Sequence, residues 1–561
     1  MTKRLFQFFL FTGIAMIVVS CSSSVPKQAD YISKDAFMVA DFNTARLAEK
    51  AKKGNINWDS LFTNMLKDAD PVKSDEIKKQ LSKMSEAGID FQDHFFVFVK
   101  MSGSMMNGQS VTTGVVAGMK DAAKFEAYMK AQQDVTPIQL KDDYSYTVLH
   151  NEVGIGWNKH VAILVYATPP EARDASQVVP NDGKTSLAAL DQMMHLKKEE
   201  SVAALDDFKT LMKEKADILY WSNSEGIISS IPFVGMTKMG DLFKGTHSAG
   251  TLNFEDGKAV ATVKSYMGKD LADILKKYPS TAADMNMVAQ YPSPVMGYVC
   301  FALNPKILLD IIKYAGVEST ANQFLAESGF TLDDIAKAFS GDIAIMVSDY
   351  GLKPNTMDIG GEKITYNTLD IKYIFNFKIT DVAAYNKIAA GLTAKGFMEQ
   401  VNGQYLPKNL RGTGWLMNGK NLIMGSNDSL IQQYLAGKGN AALPKDISSA
   451  ASGKPFSMFV DIQKFLQQGA MDSSSIKMIE LAKSTFKDFR STANKMEGNS
   501  VTSQMDLYTM NEKENSFVTL IKYFAASAQL MKQRMQEMEK GGMTDIDSLQ
   551  PPIVDSMAAQ P

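Results

Sequence analysis

A strand-like pattern that ends in asparagine, FMVADFN at residues 37–43, occurs again as YVCFALN at residues 298–304. Each copy leads into a helical stretch, so Asn43 and Asn304 are predicted to cap helices with their side-chain oxygens. Pro305 suits the first position of the second helix. The copies lie 304 − 43 = 261 residues apart. A pattern repeated at such a distance predicts an internal duplication.

Three further patterns recur in the same order. They are DAAKF at residues 121–125 with DVAAY at 381–385, GIGW at 154–157 with GTGW at 412–415, and DGKAV at 256–260 with EGNSV at 497–501. The offsets are 381 − 121 = 260, 412 − 154 = 258 and 498 − 257 = 241. The offset decreases because the first half carries a polar, turn-rich segment at residues 173–200 that the second half shortens. The order favours two related lobes, although glycine, aspartate and alternating strands recur by chance in any large α+β protein.

Hairpin signals within each half indicate antiparallel sheets. Asn418 and Gly419 stand between two strand-like runs, and Asn158 with Lys159 repeats that arrangement in the first half. Helical stretches between the strands would cover one face of each sheet. The predicted fold class is therefore α+β, with two related lobes that each consist of a mainly antiparallel sheet covered by helices.

A long amphipathic helix is predicted near the C-terminus, because apolar residues recur at steps of three and four from Phe517 to Met538. Gly541 and Gly542 would end it. The chain of 561 residues then divides into a signal peptide at residues 1–20, a tether at 21–30, a first lobe at 31–285, a second lobe with the long helix at 286–542, and a disordered tail at 543–561.

The N-terminus predicts a bacterial lipoprotein. Lys3 and Arg4 precede an apolar run that is too short for a transmembrane span, and VVSC at residues 18–21 has the aliphatic and small residues of a lipoprotein cleavage site. Cys21 is the predicted lipidation site. The alternative is an ordinary signal peptide or a short membrane helix with an incidental cysteine. Two or three acyl chains on Cys21 would hold the protein on a membrane.

The residues after Cys21 bear on the location. Ser22, where aspartate would favour retention at the inner membrane, indicates the outer membrane, and the absence of an acidic cluster after the cysteine favours the periplasmic face over the cell surface. The short polar tether would keep the folded body close to the lipid headgroups.

Composition excludes some function classes. Without Lys3 and Arg4 the charge balance is 57 − 62 = −5, so nothing attracts nucleic acid. Cys300 is the second of two cysteines, so an intrachain disulfide would leave no cysteine for lipid. It lies in an apolar strand-like run, where a buried hydrophobe is the expected role and a catalytic nucleophile is the sharper alternative.

The repeated Gly-x-Gly-Trp pattern supplies the candidate binding residues. Trp157 and Trp415 could stack on a sugar, or their rings could fill the core while the glycines permit a tight strand. Met105 and Met106, in a predicted loop, could be soft metal ligands or simply loop residues. The five histidines show no metal-binding spacing, so no metal, cofactor or catalytic residue is predicted.

The lipoprotein signal, the polar tether, the opening YISKDAFMVA at residues 31–40 and the strand-to-helix step at Asn43 together resemble an uncharacterised Bacteroidetes cell-envelope lipoprotein family. The family that the chain resembles is the domain-of-unknown-function family number 4836. The resemblance implies residence in the cell envelope and no particular activity. Cys21 is the one functional residue that it carries over.

The predicted function is a non-enzymatic binding or scaffolding role near the outer membrane, with an envelope protein or a glycan as partner. The alternative is an envelope hydrolase or glycan-processing enzyme whose acidic residues come together in the fold. A cleft with two facing carboxylates would favour the enzyme, and an apolar groove would favour the binding protein.

Overall fold

The structure, a computed structural model, describes residues 25–56, 86–104, 108–132, 134–169, 183–225, 238–359, 362–408, 413–437, 439–441, 443–466 and 473–540. Helices and strands alternate in both halves, and the strands form a large antiparallel sheet. The predicted combination of helices with an antiparallel sheet is therefore confirmed.

The first half begins with a 3₁₀ helix, Lys27–Tyr31. The elements that follow are β1 (Met38–Phe42), α1 (Thr44–Lys53), β2 (Ile89–Ser104), β3 (Gly108–Met119), α2 (Ala122–Lys130), β4 (Gln139–Lys141), β5 (Tyr144–Leu149), β6 (Val153–Trp157), β7 (Val161–Ala167), α3 (Lys184–Met194), the 3₁₀ helices Lys198–Glu200 and Val202–Ala204, α4 (Asp206–Leu211), β8 (Ile218–Asn223), α5 (Met239–Leu242), β9 (His247–Glu255), β10 (Lys258–Tyr266) and α6 (Lys269–Lys276).

The second half repeats this alternation and ends in a long helix. Its elements are α7 (Asn286–Ala289), β11 (Gly297–Ala302), α8 (Pro305–Tyr314), α9 (Glu318–Ala326), α10 (Leu332–Ala338), β12 (Phe339–Ile359), β13 (Glu362–Ile379), α11 (Val382–Ala394), β14 (Met398–Val401), β15 (Gln404–Pro407), β16 (Gly414–Met417), β17 (Asn421–Gly425), α12 (Asp428–Leu435), α13 (Lys445–Ala451), β18 (Phe456–Asp461), α14 (Ile462–Leu466), α15 (Ser473–Thr485), β19 (Phe486–Ala493), β20 (Ser500–Thr509) and α16 (Ser516–Lys540).

The strands pair in the same order in both halves, and every pairing is antiparallel. The first half runs β7-β3-β2-β1-β8-β9-β10, with β6 on the outer side of β7. The second half runs β17-β13-β12-β11-β18-β19-β20, with β16 beside β17. They differ at the rim, because β4 and β5 continue the sheet from β6, whereas β14 and β15 form a separate pair.

The last strands of the two halves join them into one sheet. Strands β10 and β20 pair from Lys258 opposite Tyr508 to Tyr266 opposite Ser500. The paired stretch covers nine residues of each strand, and Thr262 opposite Gln504 is the central pair. Within the described residues, the hydrogen bonds between these strands join 18 strands into one continuous sheet.

The predicted helix caps are confirmed. Asn43 Oδ1 accepts the amide proton of Arg46 at 3.1 Å, and Asn304 Oδ1 accepts that of Lys306 at 3.0 Å. Pro305 is the first residue of α8. Each cap satisfies an amide that the helix itself leaves without an acceptor.

Each half has its own principal core. The first includes Val39, Phe96 and Ile163, and the second includes Cys300, Met346 and Ile374, all close to fully buried. Burying a side chain of this size stabilises the fold by about 1.5–3 kcal/mol. Each half therefore buries a hydrophobic core of its own.

The C-terminal helix packs against the first half. Phe517 and Leu520 of α16 join a cluster with Leu47 and Phe254. Ser516 Oγ donates at 2.8 Å to the backbone oxygen of Lys258, the first residue of β10 and of its pairing with β20. The two halves are thus linked by a helix as well as by the sheet. Within the described residues, no helix combines the length and the apolar character that a membrane crossing requires.

Candidate functional site

Several of the predicted sites fall outside the described residues. They are the signal peptide at residues 1–20, the lipidation site Cys21, the loop residues Met105 and Met106, and the tail at 543–561. The described chain begins four residues after Cys21, and its first 3₁₀ helix is fixed to the body by Gln28, whose Nε2 donates to Asp93 Oδ2 at 2.7 Å. The predicted tether therefore includes a structured end.

Trp157 lies in the core. It is 2% exposed, and its ring packs edge-on against Phe125 with the centroids 5.2 Å apart. In this conformation the ring presents no free face to a ligand. The geometry corresponds to the core-filling alternative, and stacking on a sugar stays a prediction.

Trp415 is half-buried in the second half. Its ring packs in a cluster with Tyr385, Ala389 and Leu422. The glycine before each tryptophan faces a helix at close range: a Cβ on Gly156 would stand 2.9 Å from Leu190 Cδ1, and one on Gly414 would stand 2.7 Å from the backbone carbon of Asn427. The pattern therefore lets α3 and α12 pack closely on their strands.

Cys300 has the environment of a core residue. Its side chain is fully buried, and its sulfur lies 3.8 Å from the backbone oxygen of Asp284. Burial raises the pKa of the thiol to about 12, with smaller contributions from the charges of Asp342 and Asp284. A thiolate at that site is strongly disfavoured, whereas nucleophilic cysteines have a lowered pKa.

A histidine and a buried aspartate form a pair next to the N-terminal helix. His94 Nδ1 lies 2.7 Å from Asp41 Oδ2, and the second carboxylate oxygen of Asp41 is buried without a hydrogen-bond partner in the described structure. Burial raises the pKa of Asp41 against the effect of His94. Burial opposes protonation of His94, but the hydrogen bond and charge of Asp41 raise its pKa. Within the described residues no group of three or more His, Cys, Asp or Glu side chains is placed to hold a metal.

A long hairpin in the second half carries a group of exposed apolar side chains. Strands β12 and β13 pair continuously from Gly351 opposite Asp370 to Ile359 opposite Glu362. Neighbouring strands do not follow them that far, since β11 pairs with β12 up to Val347 and β17 pairs with β13 up to Ile374. We call residues 351–359 and 362–370 the arm. At about 3.3 Å per residue it extends roughly 30 Å.

The base of the arm is fixed, and its outer part carries exposed apolar residues. At the base, the Tyr350 hydroxyl donates to the backbone oxygen of Phe465, and the two rings lie 5.4 Å apart. Five large apolar side chains on the arm have relative exposures between 42% and 59%: Leu352, Met357, Ile364, Tyr366 and Leu369. Such a concentration of exposed apolar side chains is typical of an interaction surface.

The apolar residues occupy both faces of the arm. Leu352 lies opposite Leu369 near the base, and Met357 lies opposite Ile364 near the tip. Directly opposed residues share a face and successive residues alternate, so the two pairs point to opposite faces. A partner could therefore cover either face.

Sequence reasoning missed the arm. Its residues alternate in the manner of a strand, but their exposure depends on where β11 and β17 end, which is a property of non-local pairing. The length of the two strand-like runs around residues 360–361 was the available signal, since such runs are longer than most strands in a sheet.

Comparisons with known proteins support a family assignment. A model of the family described as Domain of unknown function (DUF4836) matches residues 29–358, more than half of the chain. No curated protein matches. Two solved structures of TP0453 match, crystal form I at 9% identity and crystal form IV at 8%, both with a TM-score of 0.24. They cover 44% and 43% of this chain and 80% and 81% of their own. A TM-score of this size carries no argument about fold or function.

Proposed function

We propose that this chain, which belongs to the DUF4836 family, is a lipid-anchored cell-envelope protein. In this proposal it binds a partner protein and catalyses no reaction. The observation that carries the binding role is the arm, which projects from the sheet with apolar side chains on both faces. The anchor rests on the sequence: a basic start, a short apolar run and VVSC before a polar tether.

The anchor would place the body beside the bilayer. Cys21 precedes Lys27, the first residue of the docked 3₁₀ helix, by six residues, which span at most about 20 Å when extended. Ser22 after the cysteine favours the outer membrane, and the absence of an acidic cluster after the cysteine favours the periplasmic face. The partner is accordingly sought among proteins of the envelope.

A protein suits the arm better than lipid or sugar. In hydrocarbon, a two-stranded ribbon would leave the backbone groups of both outer edges without hydrogen bonds, at several kcal/mol for each group. Four of its five exposed apolar side chains are aliphatic and one, Tyr366, is aromatic, whereas sugars stack on aromatic rings. A protein can add strands to the edges and cover the apolar faces at once.

We also propose that the halves arose by internal duplication. The identical order of strand pairing supports this, and so do equivalent polar residues with equivalent roles. Asp121 caps α2 and Asp381 caps α11. In the hairpin turns, Asn158 Oδ1 accepts the amide of Val161 at 3.1 Å, and Asn418 Oδ1 accepts that of Asn421 at 2.9 Å. An experimental structure in which one of these strands paired differently in the two halves would contradict the duplication.

Site-specific photo-crosslinking in envelopes tests the binding role. A photoreactive amino acid at Leu352 or Ile364 of the lipidated protein is expected to give discrete protein adducts. The matched control places it at Leu140, which is also exposed but lies on β4 of the first half. Adducts at the arm and none at Leu140 support the proposal. Lipid adducts at the arm, no adducts, or the same adducts from all positions would contradict it.

The enzyme alternative has one supporting observation. A cavity of ≈ 430 Å³ between α5 and α6 of the first half and α8 of the second is lined by two carboxylates and three further polar side chains: Asp241, Asp270, Lys244, Lys269 and Tyr314. Asp270 Oδ2 accepts the Tyr314 hydroxyl proton at 2.5 Å. Hydrolysis of envelope glycans by the purified protein, lost in both Asp241→Asn and Asp270→Asn variants, would replace the binding proposal with this one.

A further inference from the structure

A second cavity lies where the N-terminal segment meets the body. Its volume is ≈ 270 Å³, and three segments of the first half line it. These are the 3₁₀ helix at the N-terminus, the turn between β6 and β7, and the residues around the end of α3. They contribute Lys27, Asp30, Tyr31, His160, Met194, Leu196 and Lys198.

The polar groups of this cavity are free to bind a ligand. Lys27, Lys198 and Asp30 have no ion-pair partner within 4.0 Å, and the His160 ring has none either, in the part of the chain that the structure describes. The Tyr31 hydroxyl oxygen accepts a proton from Asn158 Nδ2 at 3.3 Å, so it keeps its own proton to donate. The lining therefore combines two lysine side chains, further hydrogen-bond donors and one carboxylate.

The apolar part of the lining is smaller and adjoins the charges. Met194 and Leu196 provide it, at the end of α3 and just beyond. A ligand with a charged group at each end and methylene groups between them would match both parts. A bare anion would match the lysines but would meet the carboxylate of Asp30 as well.

We propose that this cavity binds a phosphoethanolamine group, with the phosphate at Lys27, Lys198 and His160 and the ammonium at Asp30. Charge-assisted hydrogen bonds of both signs would fix its orientation. The biological source would be the headgroup of a membrane lipid, and this part rests on the proposed lipid anchor, which brings the cavity close to a bilayer. Free phosphoethanolamine offers the same chemistry.

Vesicle sedimentation with the mature chain carrying Cys21→Ser tests the proposal, because this variant has no anchor and binding reports the cavity. Three vesicle types are compared: phosphatidylcholine alone, with phosphatidylethanolamine, or with phosphatidylglycerol. Binding is expected to be about tenfold tighter with phosphatidylethanolamine than with phosphatidylcholine alone, a difference within the range of a few charge-assisted hydrogen bonds. Free phosphoethanolamine should compete, and inorganic phosphate should compete less well.

Two sets of variants locate the site. Lys27→Gln with Lys198→Gln should weaken binding to the phosphatidylethanolamine vesicles. Asp30→Asn should remove both the preference for phosphatidylethanolamine over phosphatidylcholine and the discrimination against phosphatidylglycerol. Lys306→Gln with Lys337→Gln makes the same change of charge at exposed lysines of the second half and should have no effect. All altered side chains lie at the surface or line the cavity, and thermal melting checks that each variant folds.

Equal binding to all three vesicle types, tighter binding to phosphatidylglycerol than to phosphatidylethanolamine, or full binding by the Lys27 and Lys198 double variant would overturn the proposal. Competition by phosphoethanolamine without vesicle binding would assign the cavity to a soluble ligand and overturn the lipid source. The anchor and the arm are tested by other measurements, so failure here is distinguishable from failure of the proposed function.

Discussion

At the scale of residues, we expect the pair of Asp41 and His94 to make stability depend on pH. Both groups have a raised pKa in the folded protein, so the native state binds more protons than the unfolded state. The contribution of His94 is fully present below its unfolded pKa of about 6.5 and is lost as the pH rises through its higher folded value. The contribution of Asp41 to stability is likewise lost as the pH rises from its unfolded pKa through its higher folded pKa.

The variant His94→Gln should remove the upper part of this dependence. We expect the free energy of unfolding of the wild type to fall as the pH is raised from about 6 through 8, and that of the variant to change less over the same range. Denaturant midpoints measured at several pH values check this. An unchanged slope in His94→Gln would refute the assignment.

The thiol of Cys300 should be unreactive in the folded protein, because it is fully buried and its pKa is raised to about 12. In the Cys21→Ser variant it is the remaining thiol of the chain. We expect no maleimide labelling under native conditions and complete labelling in denaturant. Rapid native labelling would reinstate the nucleophile alternative.

At the scale of elements, the Gly-x-Gly-Trp pattern determines how closely a helix packs on its strand. A Cβ on Gly414 would approach backbone atoms of Asn427 and Asp428, at 2.7 and 2.9 Å, and these atoms move only with the start of α12. A Cβ on Gly156 would meet the ends of Leu190 and Met194, which can turn away. The two glycines thus tolerate a methyl group differently.

The variant Gly414→Ala should lose about 1–3 kcal/mol of unfolding free energy, the usual cost of overpacking, and Gly156→Ala should lose less. Chemical denaturation measures both. Ser145→Ala on the adjacent strand β5 is the control and should lie within about 0.5 kcal/mol of the wild type. A larger loss in Gly156→Ala than in Gly414→Ala would contradict the prediction that the backbone contact with the start of α12 costs more than the side-chain contacts with α3.

Local signals predicted many elements, and non-local pairing decided the rest. Asn43, Asn304 and the Asn418-Gly419 turn act through contacts within a few residues, so their caps and turns could be read from the sequence. The arm could not be read, because its exposure depends on where strands distant in sequence end. The cavity beside Lys27 joins residues more than 150 positions apart, and no sequence spacing indicates it.

At the scale of the whole molecule, the sheet is one continuous structure and the halves depend on each other. Strand β10 pairs with β20 along its full length, and α16 of the second half covers β9, β10 and α1. An isolated first half would lack the packing of Phe517 and Leu520, which are half-buried against it. Full burial of such a side chain contributes about 1.5–3 kcal/mol, so each contributes a part of that. The bare edge of β10 would also be open to pairing with other chains.

We therefore expect residues 25–285, produced alone, to melt at a lower temperature than residues 25–540 and to self-associate. Co-expression with residues 286–540 should give a complex that contains one copy of each fragment and does not associate further. Size-exclusion chromatography and thermal melting check both. A monomeric first half with the melting temperature of the intact body would mean that the junction contributes little to stability.

The central claim is that a lipid on Cys21 holds this binding protein at a membrane, and mass spectrometry of the N-terminal peptide from envelope-purified protein tests it most directly. The account predicts a chain that begins at Cys21 and carries a thioether-linked diacylglycerol. A chain that keeps residues 1–20, or one that begins with an unmodified cysteine, would contradict it.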